Sequence, residues 1–257
     1  MTGPVHGVRR VRDLTVLDVP GGSLVVACDS VGGIGPKQHD TVRTAAATTA
    51  HFAARVALLE VICAGAKPTL VVDTLSVEAE PQGKEMIQAV VELAAEVGLA
   101  ADRVTGTTED NVVTHATGIG VTVVGEVAGG LRAGGSRDGD VVVCLGAPRS
   151  APDDQLYVGH PDLVGIAELT ALLDTDLVHD ALSVGSKGLA WEVPQLAEAA
   201  GLSVDWRADA GVPRDRSAGP SSCVLVSCRA ADVASVRARF RSTLPTAVVA
   251  DLAAEDG

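Results

Sequence analysis

The chain has 257 residues, 47% of them hydrophobic and only 2% aromatic, enough to bury a sizeable core built from Val, Leu, Ala and Ile. Its formal net charge of −13, from 20 Lys and Arg against 33 Asp and Glu, opposes a phosphate backbone over most of the surface and excludes nucleic acid as the expected partner. No uncharged apolar run reaches the roughly 18 residues of a membrane span, and the first 18 residues lack the apolar stretch of a signal peptide, so a cytoplasmic protein without a membrane partner is expected.

Apolar, β-branched runs predict strands at 24–28, 69–75, 119–127, 141–145 and 223–228. Helical spacing of Phe52, Val56, Leu59 and Cys63 predicts a helix over 44–64, stopped by Gly65 with Pro68 just beyond. A second helix is expected over 84–97, ending at Gly98. The segment AGGLRAGGSRDGD at 128–140 has five glycines and four charges, the composition of an exposed connection. It divides the chain into expected domains 1–132 and 138–257, the second carrying helices near 162–173, 189–200 and 231–240. The class is α/β, and residues 253–257 are expected to fray. Five cysteines (Cys28, Cys63, Cys144, Cys223 and Cys228) form no CxxC pair and read as reduced core residues.

The segment VVACDSVGGIGPK at 25–37 delivers Asp29 from a buried strand into a loop with Gly32, Gly33, Gly35 and Lys37. Backbone N–H groups and a lysine in such a loop suit a phosphate, while a bare glycine turn explains the same residues equally well. Glu60 shares a helix face with Ala53, Ala57 and Ala64, as a site acid or as a surface one. Asp73 interrupts the apolar strand TLVVDTL, where a buried carboxylate needs a cation, hydrogen-bond donors, or pairing with Lys67 or Lys84. TGTTEDN at 105–111 gathers hard oxygen donors fit for Mg, and ordinary turn chemistry accounts for it too. SVGSKG at 183–188 puts Ser186 and Lys187 before a helix whose Leu189, Val193 and Leu196 should face the core, as an anion site or a plain N-cap. Asp153 and Asp154 read as loop residues. No GxSxG or HExxH pattern occurs, and the six histidines show no ligand spacing, which disfavours hydrolases and zinc enzymes.

In order, DSVGGIGPK (29–37), ARVALLEVICAGAKP (54–68), TGTTEDN (105–111) and TGIGVTVVGEV (117–127) resemble the N-terminal half of the superfamily of aminoimidazole ribonucleotide (AIR) synthetase, thiamine-monophosphate kinase and selenophosphate synthetase. The variants DSxGGIG, ALxEVxxxGAKP and TGxTEDN look closest to the α-ribazole kinases, and SKGL at 186–189 resembles the family's SDGL helix start. The resemblance implies a two-domain α/β (α+β) fold, an N-terminal four-stranded sheet forming a barrel across a homodimer, and ATP and Mg as cofactors. It further implies a nucleoside-like small-molecule substrate, α-ribazole, phosphorylated on its ribose 5′-hydroxyl. Carried over residue by residue, Asp29, Ser30, Gly32, Gly33, Lys37, Thr107 and Thr108 become nucleotide contacts. Asp29, Glu60, Glu109 and Asp110 become metal ligands, and Ser186 and Lys187 lie near substrate; no residue is assigned as catalytic base. Two departures stand out: Thr105, Gly106, Thr107 and Thr108 replace GGDT, removing a carboxylate, and Lys187 replaces the acid of SDGL.

Overall fold

The order of the strands, more than their number, places the site. The computed structural model describes residues 7–254. They form two units, Met1–Val61 with Ala66–Gly129, and Ile62–Gly65 with Gly130–Gly257.

In the first unit, strands β1 (Gly7–Val11) and β2 (Leu14–Val19) form a hairpin that turns at Arg12 with a positive φ of 53°. There follow β3 (Gly22–Gly32), the short pair β4 (Ile34–Gly35) and β5 (Val42–Arg43), α1 (Ala46–Cys63), β6 (Lys67–Leu75), α2 (Lys84–Glu96), β7 (Val104–Thr107) and β8 (Gly118–Val127). The main sheet has six strands in the order β1-β2-β3-β8-β6-β7, two more than the four implied by resemblance. The sequence marked neither the inner strand β2, where only Leu14 and Val16 are buried, nor β1 and β7, edge strands with a single neighbour and mostly exposed side chains that carry no apolar alternation.

One face of this sheet is the core: Val16, Val25, Ala27, Val71, Leu75, Ile119, Val121 and Val123 are buried on it. Helix α1 packs there, with Val61 Cγ1 occupying the space a side chain at Gly125 would fill, 2.5 Å from that Cβ position. The helix is long and apolar enough to cross a membrane, with mean hydropathy 1.3, but 72% of it is buried as the core helix of this unit. The opposite face carries Leu17, Leu24, Val26, Val72 and Val124, none of them fully buried.

The second unit contains β9 (Asp140–Leu145), α3 (Ile166–Leu173), β10 (Asp180–Ser183), α4 (Leu189–Glu198), β11 (Leu202–Trp206), β12 (Val224–Arg229), α5 (Val233–Arg237) and β13 (Thr246–Ala254). Its five strands run β10-β12-β9-β13-β11, antiparallel throughout. Leu189, Val193 and Leu196 of α4 are buried against Val142, Cys144, Leu225 and Leu252, as their spacing predicts. Residues 253 and 254, expected to fray, belong instead to β13, where they pair with Ser203 and Leu202; 255–257, like residues 1–6 with His6, lie outside the described residues. Four of the cysteines are buried and none of the five forms a disulfide, whereas Cys28 is exposed because it alternates onto the open face of β3.

Candidate functional site

Because β3 and β6 run parallel to one another and antiparallel to β8, the C-terminal ends of β3, β6 and β7 and the start of β8 meet at one end of the sheet. The register is Gly32 opposite Gly118, Ile119 opposite Leu75, and Thr74 opposite Thr107. Glycines at 32, 118 and 120 remove side chains there, and a cleft of about 540 Å³ opens. Its walls are Ser30 to Gly32, Thr74 to Ser76, Thr107 to Glu109 and Gly118 to Gly120. Five hydroxyls, one carboxylate and several glycine backbones thus converge on one concave surface, a donor and acceptor set suited to phosphate and hard cations.

The loop after β3 is fastened from beneath. Gly33 takes a positive φ of 70°, which lets its carbonyl accept from the N–H groups of Thr41 (2.8 Å) and Val42 (3.2 Å). The buried Asp40 carboxylate accepts from the N–H groups of Lys37 and Thr117 and from the Thr117 hydroxyl, each at 2.7 Å. Lys37 does not line the cleft. Its ammonium donates to Glu78 and, at 3.1 Å, to the Thr114 carbonyl, so the expected phosphate lysine is a tie between the 33–44 loop, the 76–83 segment and the 111–117 loop. The Lys37 ammonium foremost, with the Thr114 N–H, holds the Glu78 carboxyl down to about 2.

The acidic turn divides its labour. Asp110 accepts from the Ala79 N–H (2.9 Å) and the Thr108 hydroxyl (2.7 Å), which hold its carboxyl below the usual range, so it shapes the turn outside the cleft lining. Glu109 accepts from the Asn111 N–H at 2.7 Å and faces the cleft beside Thr107 and Thr108. Asp29 alternates away from Ser30 onto the helix-covered side, where burial raises its carboxyl against the opposing Ser30 N–H. Glu60 adjoins Val61, which packs on Gly125; the cleft begins at Gly120, five residues along β8 or roughly 16 Å away. Among the described residues no three His, Cys, Asp or Glu side chains gather to hold a metal, so the four expected ligands do not form a cage within one chain.

In the second unit, Gly188 is the N-cap of α4 and no side chain caps it, so Ser186 is not the cap. The Ala190 N–H donates to the Arg214 carbonyl at 2.9 Å, which uses one of the amides that an anion would need. Lys187 sets its ammonium 3.8 Å from the centre of the Trp191 ring. Asp154 takes Arg149 (3.0 Å) and Arg216 (2.7 Å), a loop staple as expected for that segment.

Sequence reasoning passed over Asp40, Glu78, Thr114 and Thr117. Only Asp40 left a local signal, a side chain reaching back three residues to the Lys37 N–H. Glu78 bonds Lys37 across 41 residues and Thr114 across 36, separations at which one sequence carries no pairing signal.

Residues 11–127 match the family model described as AIR synthase related protein, N-terminal domain. The fold of the chain is the AIR synthase-related one, and solved structures match it from end to end at low identity. Thiamine-monophosphate kinase from Stenotrophomonas maltophilia K279a aligns with TM-score 0.67 at 16% identity, covering 98% of this chain and 90% of that one. The Aquifex aeolicus enzyme complexed with AMPPCP and TMP aligns with TM-score 0.61 at 14% identity, covering 97% and 87%. Hydrogenase maturation protein HypE in complex with ATP aligns with TM-score 0.64 at 14% identity, covering 93% and 78%. Among curated proteins no sequence matches.

Proposed function

We propose that the chain is an ATP-dependent small-molecule kinase that phosphorylates the ribose 5′-hydroxyl of α-ribazole. The observation that carries the nucleotide half of this reading is the cleft at the strand ends, where Ser30, Thr107 and Thr108 hydroxyls and the Gly32 backbone line a space sized for a polyphosphate. The support for ATP is that structural neighbours are complexes with AMPPCP and with ATP. The acceptor rests on the resemblance of the DSVGGIG, ALLEVICAGAKP and TGTTEDN segments to α-ribazole kinases.

The donor set fits a magnesium ion that arrives with the nucleotide, since such an ion keeps several waters and takes one or two carboxylates plus phosphate oxygens. Glu109 is the carboxylate in the cleft, with Thr107 and Thr108 hydroxyls beside it. Bound there, the ion would neutralise charge on the transferring phosphoryl group. Ser30 and Gly32 position the phosphate chain, the 5′-oxygen attacks the γ-phosphorus, the β,γ-bridging bond breaks to release ADP, and the hydroxyl proton leaves to solvent or a base. Asp29, Glu60 and Asp110 lie outside the lining of this cleft in the single chain. The half-exposed apolar face of Leu17, Leu24, Val26, Val72 and Val124 supports a homodimer that covers it.

Incubation with MgATP and α-ribazole should yield ADP and singly phosphorylated nucleoside in equal amounts. ADP formed only with an amide or carboxylate acceptor would assign the chain to synthase chemistry instead, and nucleotide binding without turnover on any acceptor would make it a silent subunit.

A further inference from the structure

Asp73 is 1% exposed, and its Oδ2 is buried with no hydrogen-bond partner. Neither lysine offered by the sequence reaches it: Lys84 pairs with Glu80 at 3.7 Å, and Lys67 is exposed at the far end of the same strand. The carboxyl instead leans over β7. Asp73 is in register with Gly106, and a Cβ at Gly106 would lie 1.9 Å from Asp73 Oδ1 and 2.0 Å from its carbonyl oxygen. The residues that follow on both strands, Thr74 to Ser76 and Thr107 to Glu109, are two walls of the cleft.

We infer that Asp73 is a positioning residue for the β7 wall: its carboxyl occupies the room that Gly106 leaves, and the charge on that carboxyl sets how firmly Thr107 to Glu109 are held against β6. Of the charged or titratable residues on the helix-covered side, Asp29 lies across Val121 on β3 and His51, Arg55 and Glu60 belong to α1, and none of them perturbs the Asp73 carboxyl. Gly106 is its partner on β7 and Val121 on β8, α2 turns Met86 and Val90 inward, and Lys84, Glu85, Glu92 and Glu96 of that helix are exposed. Burial alone pushes the carboxyl up to about 6. Neutral below that pH, it sits in an apolar site at little cost; ionised above it, the charge has no counter-ion and is relieved only when β7 lifts and admits water. Edge strand β7 has four residues and one neighbour, so it is the element that gives way.

Amide hydrogen exchange of 104–109, corrected for intrinsic rates and referenced to β8, tests this in the wild-type chain. The opening equilibrium should rise by up to about tenfold per pH unit above pH ~6, and in Asp73→Asn the dependence should vanish with β7 protected throughout. Protection of β7 relative to β8 that is the same at about pH 5 and pH 8 in the wild type overturns the inference, whatever the variant does. So does a pH dependence retained in Asp73→Asn. A second arm rests on the nucleotide reading: AMPPCP affinity of the wild type should fall as pH rises through about 6, and that of Asp73→Asn should not. Failure of AMPPCP to bind at any pH would defeat the nucleotide reading and leave the exchange result to decide on Asp73.

Discussion

Asp29 and Asp73 flank Val121 in a single row across β3, β8 and β6, each in register with it from opposite sides, so that two acids lie on the helix-covered face with their backbones about 10 Å apart. Burial raises both. The cleft is lined by their successors, Ser30 and Thr74, which point to the other face. The acids therefore stand behind the site and the hydroxyls stand in it.

Stability should record the Asp73 member of this row. Its carboxyl rises from 3.8 to about 6 on folding, so the folded state binds the proton more tightly. The destabilisation is absent at the lower pH, grows as pH rises between these values, and is complete above about 6. Asp73→Asn should thus match the wild type in Tm near pH 4 and exceed it by several degrees at pH 7.5, read by scanning calorimetry. A variant less stable than wild type at pH 7.5 counts against the buried charge.

Gly32 and Gly106 should answer differently to the same added methyl group. Nothing lies within 4 Å of a Cβ at Gly32, whereas one at Gly106 strikes Asp73 at 1.9 Å. Gly106→Ala should cost about 1–3 kcal/mol or more in urea unfolding. Gly32→Ala should unfold like the wild type and lose AMPPCP affinity, because the methyl projects beside the cleft; unchanged affinity would remove Gly32 from the phosphate contacts.

Asp40 accepts three hydrogen bonds within a buried site that joins the 33–44 loop to Thr117. Asp40→Ala leaves those donors unpaired and should cost about 2–4 kcal/mol. Exchange should quicken first at 33–44 and 114–118, and AMPPCP affinity should fall with it.

Chelation separates a structural from a delivered metal. With no cluster of three ligand side chains among the described residues, EDTA should leave the Tm of the free protein unchanged. AMPPCP should raise Tm with Mg and do so far less with EDTA. A large Tm drop on chelation alone would reveal a resident metal.

The sequence by itself determined the buried framework. β3, β6, β8, β9 and β12 were legible as apolar runs, α1 and α2 by helical spacing, and Leu189, Val193 and Leu196 as core, because burial of a whole face imposes a period that local composition displays. It also marked Ser30, Gly32, Thr107, Thr108 and Glu109, a glycine, three hydroxyls and a carboxylate that line one cleft. Only the tertiary structure decided which way each acid turns. Strand alternation sent Asp29 behind the cleft, helix packing set Val61, the neighbour of Glu60, on Gly125 and away from the cleft, and Lys37 was claimed by Glu78 from 41 residues away. The physical reason is one of range: burial is written into a residue's neighbours in the chain, whereas a polar side chain's partner is chosen among atoms that folding brings near.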